Sequence, residues 1–234
     1  MLIKVCGMRD AENIRELSAL SVDFIGFIFY AKSPRYVSTP SALWRGIEVG
    51  RRIEGKGKTV GVFVNETNEQ ILKIVHAPKP SVMGDRGLDY IQLHGNEPPQ
   101  QCADLKQSGN KVIKAFPIAK AEDLEQTKQY EGIADYFIFD TKCDDCDDCG
   151  AYGNYGNYGN YGGSGKSFDW SVLQSYGGNT PFLLSGGINP DSVKAIRAFS
   201  HPQFAGIDLN SGFETVPAMK DIQKLKTFIE SLKT

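Results

Sequence analysis

Leu2-Ile3-Lys4-Val5-Cys6-Gly7-Met8-Arg9-Asp10 opens the chain, and its reading decides the fold. Residues with an apolar lean run into a cysteine, a glycine and then a polar segment that resembles a helix start. A strand of this composition buries its side chains and delivers Cys6 to its C-terminal end, where the chain turns towards a helix capped by Asp10. The turn Cys6-Gly7-Met8-Arg9 lacks the GxGxxG spacing that opens a dinucleotide-binding, doubly wound sheet, which disfavours that architecture. A solitary cysteine is ordinarily a small buried hydrophobe. In a closed parallel barrel, however, a thiol at the top of the first strand sits where chemistry is done.

The remainder of the chain repeats the strand-then-helix rhythm. The helix after Asp10 carries Ile14, Leu17 and Leu20 at helical spacing. Phe24 to Phe29 is too apolar for a strand with one wet face and reads as a strand buried on both sides. Further strands are expected at Thr59–Val64, Tyr90–Gly95 (with its turn), Lys111–Phe116, Tyr136–Asp140, Pro181–Gly187 (with its glycine turn) and Phe204–Asp208. Helices are expected at Ser41–Ile53, Thr67–Val75, Pro98–Gln107, Ala121–Tyr130 and Phe168–Tyr176, through Val193, Ile196 and Phe199, and over Pro217–Lys233, with a loop at Pro78–Gly87. Eight such units in 234 residues match the size of an α/β fold of the (β/α)8 TIM-barrel type, expected as a single domain.

One segment breaks the rhythm. Residues 143–161 comprise Cys-Asp-Asp-Cys-Asp-Asp-Cys followed by a Tyr-Gly-Asn repeat, a low-complexity insertion after the sixth strand. Its composition cannot bury a core, so a flexible loop is expected. Cys143, Cys146 and Cys149 have thiolate spacing for an ion such as Zn²⁺ but no clear fourth ligand, and no HxH or HExxH spacing occurs elsewhere, so no metal site is assigned.

Composition narrows the function classes. With 41% hydrophobic and 23% charged residues the chain is ordinary globular material, and a net charge of -2 offers no field for nucleic acid or anionic lipid. No run nears the roughly 18 apolar residues of a membrane span and no signal-peptide pattern appears, so a cytoplasmic protein is expected. Five cysteines, three of them crowded together, do not form a disulfide framework.

In a parallel barrel all strand C-termini share one face, and there the candidates gather. Ser185-Gly186-Gly187 and Asn210-Ser211-Gly212 end consecutive late strands, where backbone N–H groups commonly hold a phosphate. Gly162-Gly163-Ser164-Gly165-Lys166 is a third glycine-rich anion cradle, without the preceding strand of a Walker A motif. Cys6 and Asp140 end the first and sixth strands, across the barrel from each other. A base facing an acid across a small substrate is the layout for moving a proton between neighbouring atoms. Arg35 can pair bidentately with a substrate carboxylate. Gln92, His94 and Asp208 complete the substrate-facing set, His94 reading as a hydrogen-bonding residue rather than a metal ligand.

With these residues in view the chain resembles the phosphoribosylanthranilate isomerases of tryptophan biosynthesis. The matching motifs run nearly end to end: Lys4-Val5-Cys6-Gly7, Gly26 to Tyr30 with Lys32 to Val37, Gly61 to Asn65, Gln92-Leu93-His94-Gly95, Phe139 to Lys142, Gly162 to Trp170, Leu184 to Pro190, and Gly206-Ile207-Asp208 with Ser211 to Glu214. The resemblance implies a (β/α)8 barrel performing an Amadori rearrangement without a cofactor. It implies Cys6 as the base at ribose C2, Asp140 as the acid at the ring oxygen and Arg35 as the anthranilate carboxylate holder. It implies phosphate turns at Gly163, Gly165, Gly186, Gly187, Ser211 and Gly212. The partner is then a phosphorylated small molecule, with no nucleic acid or membrane, for a monomer or homodimer. The chain departs from the family in the insertion.

Two other classes compete. One is a different phosphate-binding barrel, such as an indole-glycerol-phosphate synthase or a ribulose-phosphate epimerase. These would want an early-strand catalytic lysine or metal-binding histidines, and only three histidines occur, none paired. The other is a non-enzymatic metal-storage or binding protein acting through the insertion, which leaves the matched motifs without a purpose.

Overall fold

A computed structural model describes residues 1–38, 57–76, 88–142 and 169–233. The expected helix at Ser41–Ile53, the loop at Pro78–Gly87, the insertion at 143–161 and the turn carrying Gly163 and Gly165 lie outside the described residues.

Eight strands form the barrel: β1 Leu2–Val5, β2 Phe24–Ile28, β3 Lys58–Phe63, β4 Tyr90–Leu93, β5 Lys111–Ile118, β6 Tyr136–Thr141, β7 Phe182–Leu184 and β8 Phe204–Leu209. They pair in chain order, and β8 returns to β1 in parallel, with Leu2 opposite Gly206 and Val5 opposite Leu209. Closure removes every free edge, and each strand is covered on both faces, which is why the strands read as apolar runs. All five residues of β2 are buried.

Alternation along the strands divides the core in two. Outward residues such as Ile3, Val5, Phe27, Phe63 and Phe137 pack beneath the helices. Inward residues Phe24, Val60, Tyr90, Ile113, Ala115, Ile138 and Leu183 fill the barrel. At the N-terminal end of the barrel, the Phe24 ring meets Tyr90 and Tyr136 edge-on at 5.2 and 5.9 Å. Cys6, Ile28 and Val62 form a further inward group nearer the C-terminal face.

The helix Ala11–Ser18 starts as expected, with Asp10 accepting the Asn13 N–H at 2.9 Å. Helices also span Asn68–Val75, capped by Thr67, and Pro99–Gln107, Val193–Ala198 and Ile222–Lys233. Two expected α-helices are instead 3₁₀ turns, at Ala121–Tyr130 and Trp170–Ser175. In the first, the Thr127 hydroxyl and the Gln126 amide donate to carbonyls three residues back, at Leu124 and Asp123. Side chains competing for the backbone in this way favour the tighter winding.

The expected closing helix from Pro217 is shorter than its pattern suggested. Glu214–Val216 (β9) and Met219–Lys220 (β10) form an antiparallel hairpin, and the helix begins only at Ile222. Ala218 at the turn has φ 70, which no helix accommodates, and its N–H donates to the Glu214 carboxylate at 3.1 Å. Among the described residues no helix is long and apolar enough to cross a membrane.

Candidate active site

The C-terminal ends of the strands surround a pocket of about 600 Å³, counted with its open mouth, whose lining includes Cys6, His94, Asp140, Ser185, Asp208 and Ser211. Alternation delivers the first of these. With Ile3 and Val5 outward, Lys4 and Cys6 point inward, and the Cys6 N–H is tied to the Leu209 carbonyl at 2.8 Å. The thiol is buried and has room only because β2 carries glycine beside it: a Cβ on Gly26 would lie 2.8 Å from the Cys6 Sγ.

Beneath the thiol lies an ion pair that the reading of the sequence passed over. Lys4, wholly buried, places its Nζ 2.9 Å from Asp208 Oδ2. The available signal was a charge inside an apolar strand, two residues before Cys6 and so on the same face. Burial pushes the Cys6 thiol up, while the Lys4 ammonium pulls against it. Burial also raises Asp208, opposed by Lys4. Lys4 itself stays above the ordinary lysine value: burial lowers it, but Asp208 and Cys6 outweigh that. The second oxygen of Asp208, Oδ1, is buried with no hydrogen-bond partner among the described residues.

Across the pocket, Asp140 is the penultimate residue of β6, which runs on to Thr141. Its Oδ1 accepts the Thr141 N–H at 2.8 Å, and its Oδ2 lies 3.4 Å from His94 Nε2. Gln92, below His94 on the same face of β4, sets its Nε2 2.9 Å from His94 Nδ1. The Gln92 amide and the Asp140 carboxylate thus stand against the two ring nitrogens of His94. Gln92, His94 and Asp140 form one chain of contacts.

The two glycine turns meet the same pocket. Gly186 and Gly187 have φ 82 and 65, left-handed values that favour glycine, and a Cβ on Gly186 would run into Thr141 and Asp140. Ser211 lines the pocket beside them. Gly212 acts differently, since its missing side chain lets the turn after β8 press against the Ile188 carbonyl of the turn after β7.

Arg35 is buried and does not line the pocket itself. Its guanidinium forks onto Glu214, with Nε 2.9 Å from Oε1 and a terminal nitrogen 2.6 Å from Oε2. Lys220 reaches the same carboxylate at 2.5 Å and Asn210 Oδ1 at 2.9 Å. Burial works against ionisation of Glu214, but Arg35 and Lys220 outweigh it and hold the carboxyl below the usual range. Gly7 packs against this cluster: at φ 78, its Cβ would stand 2.6 Å from Arg35 Cδ. Glu214 stands at the end of the Ser211–Glu214 motif but was given no role there, and Lys220 had no local signal to mark it. Among the described residues, no group of three or more His, Cys, Asp or Glu could hold a metal ion.

Comparison with known proteins fits this geometry. The family model described as N-(5'phosphoribosyl)anthranilate (PRA) isomerase matches residues 3–231. An N-(5'-phosphoribosyl)anthranilate isomerase of Parabacteroides distasonis is 50% identical over 232 residues, covering 99% of this chain and 93% of the relative. One from Phocaeicola vulgatus is 47% identical, covering 100% and 98%. The crystal structure of the phosphoribosyl anthranilate isomerase of Thermotoga maritima superposes with a TM-score of 0.76 at 31% identity, covering 100% of this chain and 98% of that one. A phosphoribosyl anthranilate isomerase in complex with reduced 1-(O-carboxyphenylamino)-1-deoxyribulose 5-phosphate superposes at 0.73 with 28% identity, covering 100% and 98%.

Proposed function

The chain belongs to the N-(5'-phosphoribosyl)anthranilate isomerase family, and from that premise we propose that Cys6 is its general base and Asp140 its general acid. The enzyme converts N-(5-phosphoribosyl)anthranilate to 1-(2-carboxyphenylamino)-1-deoxyribulose 5-phosphate, an Amadori rearrangement in tryptophan biosynthesis. Asp140 gives a proton to the furanose oxygen as the C1–O bond breaks, and the nitrogen lone pair forms the Schiff base. The Cys6 thiolate then takes the C2 proton. The C2–H electron pair becomes the C1=C2 bond, the iminium nitrogen is neutralised, and the resulting enol tautomerises to the ketose.

The remaining roles follow the pocket. Asp208 Oδ1, buried without a partner among the described residues, accepts a hydrogen bond from a substrate hydroxyl. His94, held by Gln92, orients Asp140. The turns at Gly186, Gly187, Ser211 and Gly212, with Gly163 and Gly165, cradle the phosphate. Arg35, braced by Glu214, serves the anthranilate carboxylate. We take the enzyme to act in the cytoplasm, as a monomer or homodimer.

The observation that carries this reading is that Cys6 and Asp140, 134 residues apart by their numbers (140 − 6), line one pocket with the glycine turn of β7 at its rim. The test is substrate fluorescence decay with Cys6→Ala and Asp140→Asn. Each should lose roughly 10²–10⁴ in kcat, the usual worth of a positioned acid or base, with an unchanged melting curve. Full turnover in either variant overturns its assignment.

A further inference from the structure

Lys4 poses a physical question that folding alone does not answer. A fully buried Lys–Asp pair adds little stability, because desolvation of both charges offsets their attraction and an apolar pair of similar volume does as well. Lys4 nevertheless stands in the barrel interior with Asp208 at 2.9 Å, and Cys6 follows it two residues on along the same inward face of β1, lining one pocket with Asp208.

The surroundings of the thiol are accounted for group by group. The charges that act on it are Lys4 from β1, Asp208 from β8 and Lys220 from the β9–β10 hairpin. His94 and Asp140, after β4 and on β6, line the same pocket as the thiol and also act on Asp208. Arg35 acts on Lys220 one step further back. Two cations and one carboxylate therefore act on the thiol, and that carboxylate is already engaged by Lys4. A thiol buried in apolar surroundings is inert, whereas one beside an ammonium ionises more readily and becomes a competent base.

We propose that Lys4 is a positioning residue that prepares Cys6 for proton abstraction, sharing one buried ammonium between the Asp208 carboxylate and the Cys6 sulfur. The inference rests on Cys6 as the base. When the C2–H bond breaks and the S–H bond forms, Lys4 stays protonated. It loses the thiolate as partner and keeps Asp208, so no charge is left stranded at either stage. Asp208 has a double task, holding Lys4 with Oδ2 and presenting Oδ1 to the pocket.

The experiment is alkylation of Cys6 by iodoacetamide across pH in the intact enzyme, read by mass on the Cys6 peptide so that the other four cysteines do not contribute. It is run beside the pH profile of kcat/KM for wild type and Lys4→Met. Loss of the ammonium should move the alkylation profile upward by about one pH unit or more, or about tenfold slower modification at a fixed pH below the transition. The ascending limb of kcat/KM should move with it. Lys4→Met leaves Asp208 buried without its ion-pair partner, so Lys4→Met/Asp208→Asn, which removes both charges, is measured as well and should shift in the same direction. An unshifted alkylation profile in natively melting protein overturns the inference. If the profile shifts but Cys6→Ala turns over normally, the thiol tuning stands and the base assignment fails.

Discussion

Gly26→Ala is the substitution with the clearest consequence. The added methyl carbon would sit 2.8 Å from Cys6 Sγ, 3.1 Å from Cys6 Cα and 3.3 Å from Cys6 Cβ. Non-bonded heavy atoms rest at about 3.5–4.0 Å, so a displacement on the order of 1 Å must be absorbed. The backbone of β1 is held in the sheet and Cys6 N–H is tied to Leu209, so the thiol gives way first. A misplacement of about 1 Å in a reacting group costs roughly 10²-fold in rate, about 2.7 kcal/mol of barrier. Overpacking of this kind costs about 1–3 kcal/mol of stability, which for a chain of this size lowers Tm by about 2–12 °C. Gly61→Ala is the matched control. Its Cβ would meet Leu88 and Phe63 on the outside of β3, away from the pocket, so it should lose comparable stability and keep kcat. The assay is kcat from substrate fluorescence, with melting curves for both variants. Wild-type kcat in Gly26→Ala, or equal loss of kcat in the two variants, refutes the reasoning.

Two further outcomes are expected. Arg35→Met should raise KM by roughly 10–100-fold, the worth of a lost charge-assisted pair at about 1.5–3 kcal/mol, with a smaller change in kcat; an unchanged KM in steady-state kinetics rules out a carboxylate-binding role. The Glu131 carboxylate accepts from the Tyr176 hydroxyl at 2.6 Å, the Asn179 and Thr180 N–H groups at 3.1 Å and the Thr180 hydroxyl at 2.9 Å. Burial opposes its ionisation, but these donors outweigh it and hold its carboxyl below the ordinary range. A group depressed on folding stabilises above its unfolded value, about 4.3, and loses that contribution as pH falls through the folded one. Wild type should therefore melt above Glu131→Gln at neutral pH, with the gap closing on acidification below the unfolded value of about 4.3; a gap that stays constant as pH falls contradicts it.

Much of the molecule was legible in the chain. Every barrel strand announced itself, because a strand buried on both faces must be apolar along its length, a local property of six or so residues. Cys6, Asp140 and the Ser185-Gly186-Gly187 turn could be placed because parallel strands deliver their C-terminal residues to one face. Less was legible where side chains bargain with the backbone. The 3₁₀ turn at Ala121–Tyr130 and the hairpin ahead of Ile222 both follow from particular hydrogen bonds, to Leu124, Asp123 and Glu214, that apolar spacing cannot report.

By itself the sequence determined which segments are strands, that they alternate with helices, and which chemistry-bearing residues stand at their ends. Tertiary structure alone decided their partners. Lys4 meets Asp208 across 204 residues of chain because closure of the barrel lays β8 beside β1. Arg35 meets Glu214 across 179 for a related reason, since the turn after β8 comes to lie beside the loop after β2 at the same rim. Pattern along a chain is set by burial, which acts residue by residue, whereas the state of a thiol is set by whichever charges closure brings within a few ångströms, and those charges lie at the far end of the sequence.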